Sequence, residues 1–271
     1  MVYFIDSFLF NGEEIVKLRL EYLYKYVDYF YIVESIYTFS GIKKDFYYID
    51  KYIQWFAPYN DKIKVFKITE KLNILPDNVF QNTTNAKYFI EEKFQRNCIR
   101  NILLEEFKNK DFILALCDVD EFYDIRDLES TEELFKLLET KYLLFKMKLY
   151  YYNFNYFIND NWEMAFLISS TLLKQNEDLD DIRVFKLGDA TLRRESGWHF
   201  SYCMSPEEII RKLSSFSHAD IKGEHIDIEY ITYFIKNAVD FQLRNDFILK
   251  DIPIDNPFHK YPELFKKYYI M

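Results

Sequence analysis

A chain of 271 residues with 35 basic and 44 acidic side chains carries a net charge of −9, which excludes the basic surplus by which proteins hold DNA or RNA. Its 49% hydrophobic and 29% charged residues are the composition of a folded globule and not of a disordered segment. Three cysteines without CxxC spacing exclude a disulfide framework and a zinc knuckle, so a reducing compartment is expected.

Along the chain, the N-terminus reaches an acid at Asp6 with no basic region before it, so it does not read as a signal peptide. No apolar stretch approaches the ~20 residues of a membrane helix, and a soluble, cytoplasmic protein with no membrane span is expected. Val2 to Phe10 is an apolar run ended by the turn signal Asn11-Gly12. Glu13 to Tyr26 has Ile15, Leu18, Leu23 and Tyr26 on one face and two acids in its first turn, which predicts an amphipathic helix. Tyr29 to Val33 and Lys62 to Ile68 read as strands, Asn85 to Phe107 as a long helix, and Phe112 to Cys117 as a buried strand. Strands alternating with helices in this way predict a mostly parallel α/β sheet. The second half changes texture: Tyr142 to Phe157 and Trp162 to Ser170 read as longer strands joined by a turn at Asn159-Asp160-Asn161. Helices return at Pro206 to Phe216 and around Ile226 to Asn237.

Three segments could carry chemistry. Asp118-Val119-Asp120-Glu121 follows the buried strand directly, at the end of an open sheet where ligands bind. Asp118 and Asp120, two apart on an extended segment, can turn oxygens toward one cation, although a strand end with capped turn residues reads as well. Gly197-Trp198-His199-Phe200-Ser201-Tyr202-Cys203 sets His199 in an aromatic segment, where a histidine is more often a core residue than a ligand. If His199 meets the two aspartates, the oxygen and nitrogen donors suit manganese better than calcium or magnesium. Arg96, on the long helix, could clamp a phosphate bidentately or simply pair with Glu92 one turn away. There is no GxGxxG, GxxxxGK[ST], HExxH or GxSxG, which disfavours dinucleotide oxidoreductases, P-loop enzymes, zincins and α/β-hydrolases.

Asp28 to Ser35 followed by Tyr37-Thr38-Phe39-Ser40-Gly41 resembles the N-terminal signature of glycosyltransferase family 17, the family of β-1,4-mannosyl-glycoprotein β-1,4-N-acetylglucosaminyltransferase. Trp55-Phe56-Ala57-Pro58, Gln95-Arg96-Asn97, Asp118 to Glu121, Gly197 to Tyr202, Lys212-Leu213 and Ser215-Phe216-Ser217-His218 follow in matching order. Phe122-Tyr123 stand where the family usually has Ile-Pro. The resemblance implies a single GT-A-type domain over residues 1–271, with a nucleotide-sugar half (1–121) and an acceptor half (122–271), built on a mixed, mostly parallel sheet flanked by helices. It implies an inverting transfer of a sugar, GlcNAc from UDP-GlcNAc, onto a glycan hydroxyl, with Mn²⁺ or Mg²⁺ as cofactor. On this reading Asp118, Asp120 and His199 hold the metal, and Glu34, Ser35, Arg96 and Asp118 meet the donor. Asp220 is the first candidate for the catalytic base and Glu121 the second. The rival readings are a metal-dependent phosphoesterase or nucleotidyltransferase, and a noncatalytic carbohydrate-binding protein.

Overall fold

The computed structural model describes residues 1–70, 86–185, 190–215 and 226–268. The first half is built as its apolar runs demand. Strands β1 (Val2–Leu9), β2 (Tyr29–Ser35), β3 (Ile63–Ile68) and β4 (Asp111–Leu116) lie parallel in the order β3-β2-β1-β4. In β4, Phe112, Leu114 and Leu116 pack into one core layer and Ile113, Ala115 and Cys117 into the opposite one. A strand covered on both faces needs an unbroken apolar run, and that is what 112–117 supplies. The helix Val16–Leu23 closes one face of the sheet, and the helix Ala86–Glu106 covers the other with Ile99 and Leu103.

The second half adds β5 (Glu121–Phe122), β6 (Tyr142–Tyr151), β7 (Tyr156–Trp162), β8 (Phe166–Ser169), β9 (Thr191–Ser201) and β10 (Lys250–Asp251). β6 is its hub. Along one edge it pairs parallel with β9; along the other it pairs antiparallel with β7 and β8, which run in line with a break at 163–165. Past that break β8 pairs with β6 along one edge and antiparallel with β4 along the other, joining the two halves. Among the described residues only four of nine strand pairings are parallel, so the expected mostly parallel sheet is in fact mixed. The reason is connection length: a parallel pair needs a crossover of a dozen residues or more, and the link between β6 and β7 has four (152–155).

That link also relocates the expected turn. Asn159-Asp160-Asn161 lies inside β7, where the ladder to β6 shifts register. The chain reverses instead at Tyr152, whose φ is +70°, and at Asn153, whose side-chain oxygen accepts from the amides of Asn155 (2.8 Å) and Tyr156 (2.9 Å). An Asx turn of this kind needs one well-placed Asn, and three asparagine-type residues in a row were the more visible but weaker signal. The helices Pro206–Ser215 and Ile228–Lys236 pack on a third core cluster around Tyr151, Ile209 and Ile231.

Candidate active site

Beyond Cys117 the chain can no longer be covered on both faces, and Asp118 turns out of the sheet. The loop it opens is held from below by Arg19, a wholly buried arginine on the helix Val16–Leu23. Arg19 donates to both oxygens of Asp6 (2.8 and 2.6 Å), and its Nη1 reaches the carbonyls of Glu121 (2.5 Å) and Asp118 (3.3 Å). Breaking such a buried ion pair costs about 3–5 kcal/mol, so the backbone of 118–121 is not free to drift.

From the side the loop is held by β9. Glu121 stands opposite His199 in the antiparallel β5–β9 ladder, and the Phe200 amide donates to the Asp120 carbonyl at 2.9 Å. This pairing depends on a bulge. Between Glu195 and Trp198, β9 spends one residue more than β6 does, and Gly197 absorbs it at φ +101°. A Cβ at Gly197 would stand 2.3 Å from the Phe122 carbonyl oxygen, so only glycine lets β5 lie this close.

The three acids of the loop have different partners. Asp118 receives Arg96 (3.1 Å) and Arg183, which donates to its Oδ2. Burial alone would raise the Asp118 carboxyl, but Arg183 and Arg96 outweigh it and hold the group below the usual carboxylate range. Asp120 receives Lys212 (3.1 Å) and lies 3.5 Å from His199 Nε2. Burial opposes its charge too, yet Lys212 and His199 keep it well below the ordinary value. Glu121, fully buried, accepts from both guanidinium nitrogens of Arg183 (2.9 Å each), from Trp162 Nε1 (2.6 Å) and from the Asp118 amide (2.7 Å).

Above the loop lies a cavity of about 330 Å³ whose wall carries Asp118, Asp120, His199, Lys212, Glu13 and Arg244. Aromatic faces complete it: Trp162, whose ring lies 4.1 Å from that of His199, with Tyr151 and Phe247. His199 is buried against this wall, and among the described residues its Nδ1 has no hydrogen-bond partner.

The sequence-derived site residues are thus partly assembled. Asp118, Asp120 and His199 line one cavity, with His199 beside Asp120. Arg96 pairs with Glu92 (2.7 Å) and with Asp118, so both readings of that arginine hold together. Glu34 spends its carboxylate on Lys44 (2.6 Å) and on the amides of Tyr48 (2.6 Å) and Ile49 (2.9 Å), capping the short helix Tyr48–Lys51. Ser35 accepts from the Tyr37 amide at 3.0 Å and borders a small recess that shares Asn11 and Phe39 with the cavity. Asp220 lies outside the described residues. The reading of the sequence missed Arg183 and Glu13, and it quoted Lys212 without a role. No local pattern marks Arg183. Glu13 had one: it follows the turn at the carboxyl end of β1, where ligand-facing residues of an open sheet gather.

Among the described residues, no three His, Cys, Asp or Glu side chains are gathered as a ready-made metal nest, and no helix is long and apolar enough to cross a membrane. A mixed α/β sheet with a cavity above the carboxylate loop at its strand ends is the class of fold in which ligands bind at the carboxyl ends of strands. The chain matches the family model of glycosyltransferase family 17 over residues 2–242 and belongs to that family. It is therefore a glycosyltransferase, working between a sugar donor and an acceptor. No curated protein matches the chain.

Proposed function

We propose that the chain is a GT-A-type inverting transferase that moves GlcNAc from UDP-GlcNAc to a glycan hydroxyl with a divalent cation, Mn²⁺ or Mg²⁺. The observation that carries the reading is the composition of the cavity wall: Asp118 and Asp120, just beyond β4, line a space of about 330 Å³ together with Arg244, with Lys212 bonded to Asp120 and with a buried imidazole beside it. A nucleoside diphosphate needs both kinds of group, cations for its oxygens and carboxylates for the metal that travels with it. The aromatic faces of Trp162, Tyr151 and Phe247 suit a sugar or base ring.

Asp118, Asp120 and His199 are the residues that would hold the cation. Asp120 and His199 lie side by side, and among the described residues the buried His199 Nδ1 at the cavity wall has no hydrogen-bond partner. Asp118 would add a second carboxylate at the cavity edge, and donor phosphate oxygens would complete the set. When bound, such a cation stabilises the charge that develops on the departing diphosphate. Arg96 and Arg183 keep Asp118 ionised and aimed, Lys212 does the same for Asp120, and Glu121 serves as the anchor on which Arg183 is set.

A donor screen tests this reading: the protein with manganese is offered UDP-, GDP- and CMP-sugars, and release of the nucleotide is measured. UDP-GlcNAc is expected to be cleaved fastest and chelation to abolish the reaction. Preference for a GDP- or CMP-sugar, or release that survives chelation, refutes the donor or the metal reading respectively.

A further inference from the structure

Two acids of the cavity wall come from outside the sheet's loop: Glu92, which pairs with Arg96 at 2.7 Å, and Glu13. Glu13 follows Asn11-Gly12, and Gly12, at φ +86° with the Tyr48 ring packed where a Cβ would be, turns the chain so that Glu13 faces Lys212 and Asp120. Its Oε2 is held by the Asn11 amide at 2.9 Å. Among the described residues no side-chain donor bonds its other oxygen, whereas Asp118, Asp120 and Glu121 each take at least one cationic side chain. A carboxylate tied to a guanidinium or ammonium is a poor proton acceptor, and one held only by a backbone amide is a better one.

A second cavity has a volume of about 320 Å³. Glu14, Cys203 and Glu208 line it, while their chain or helix-turn neighbours Glu13, Tyr202 and Lys212 line the first. Glu13 is thus the chain neighbour of Glu14, which lines a second space walled also by Tyr152, Asn153 and Glu208, a surface suited to a polyhydroxylated acceptor.

We propose that Glu13 is the general base of the transfer, taking the proton from the acceptor hydroxyl. The inference rests on the inverting transferase reading above. In the step, the acceptor O–H bond breaks and its proton passes to Glu13; the acceptor oxygen bonds to the anomeric carbon; the bond from that carbon to phosphate oxygen breaks; and the diphosphate leaves with the electron pair.

The test uses the full chain with manganese and UDP-GlcNAc, water serving as acceptor, and follows UDP release alongside calorimetric binding of UDP. Glu13→Gln is expected to release UDP about 10²–10⁴-fold more slowly while binding UDP within about threefold of the parent, with a thermal midpoint no lower. Glu13→Asp, which keeps the carboxylate but withdraws it by one methylene, is expected to recover part of the rate. Unchanged release in Glu13→Gln overturns the assignment, and so does a loss of UDP binding that matches the loss of rate, which would make Glu13 a donor ligand. If the parent itself releases no nucleotide from any sugar donor, the transferase reading fails and the base assignment falls with it.

Discussion

Arg183→Met removes the guanidinium on which two of the three loop acids depend and keeps most of the aliphatic volume. Its consequence can be worked from the contacts. Glu121 would lose both its 2.9 Å charge-assisted bonds and keep only neutral donors, Trp162 Nε1 and the Asp118 amide, while remaining fully buried. An uncompensated buried carboxylate of this kind costs about 3–5 kcal/mol. Asp118 adds little, because about a third of its side chain is exposed and Arg96 still reaches it. The expected loss is about 4 kcal/mol, or a fall of about 10 °C in thermal midpoint for a chain of this size. Urea denaturation followed by tryptophan fluorescence measures it. Adding Glu121→Gln to Arg183→Met is expected to return about 2 kcal/mol or more, because the orphaned charge is then gone. A single variant within about 1 kcal/mol of the parent, or a double variant no more stable than the single, would refute the account of Glu121 as the anchor of Arg183.

His199→Ala is expected to weaken manganese-dependent UDP binding about 10- to 100-fold, with partial recovery in excess metal; calorimetry showing unchanged binding would reduce His199 to packing against Trp162. Gly197→Ala is expected to cost about 3 kcal/mol or more, since the new Cβ meets the Phe122 carbonyl at 2.3 Å in a backbone conformation that disfavours side chains; chemical denaturation showing less than about 1 kcal/mol would mean that the bulge relaxes. In metal-free protein, Asp118 and Asp120 titrate below the unfolded carboxylate value of about 3.9. Their stabilisation is therefore complete above about pH 4 and lost as the pH falls below it, and Asp120→Asn should flatten that acid limb. Parallel acid limbs in the parent and Asp120→Asn would contradict the sign.

How far the sequence could be read depended on the range of the interaction that mattered. β1 to β4 and the helix Ala86–Glu106 were legible because each is specified by its own pattern: a run buried on both faces, or a helical repeat between strands. The end of β4 was legible for the same reason, since an apolar run stopping at Asp118 marks a strand leaving the core. The pairing of β6 with β9 was not, because the two strands are separated by all of β7, β8 and two helices, and nothing local records the partner or its direction. The bulge at Gly197 illustrates the limit: the glycine was visible, but its purpose lies in the Phe122 carbonyl, 75 residues back. Arg183 is more opaque still. It meets Glu121 at a separation of 62 residues from a short helix whose sequence could serve as any exposed turn.

The charge at the site, once assembled, bears on the proposed cation in a way that no residue does alone. Arg19 cancels Asp6, and Arg244 cancels Asp240. What remains around the donor cavity is Glu13, Glu92, Asp118, Asp120 and Glu121 against Arg96, Arg183 and Lys212, a surplus of two negative charges. A diphosphate entering such a space meets repulsion on balance, because each of these cations is already bonded to an acid. In a setting of low effective dielectric that repulsion amounts to several kcal/mol, more than a few hydrogen bonds recover. A divalent ion carried in with the donor cancels that surplus and brings the sum to the charge of the diphosphate alone. The side-chain cations are thus too few for the phosphates because they are already needed by the aspartates, and that shortage is the physical argument for a metal-dependent donor.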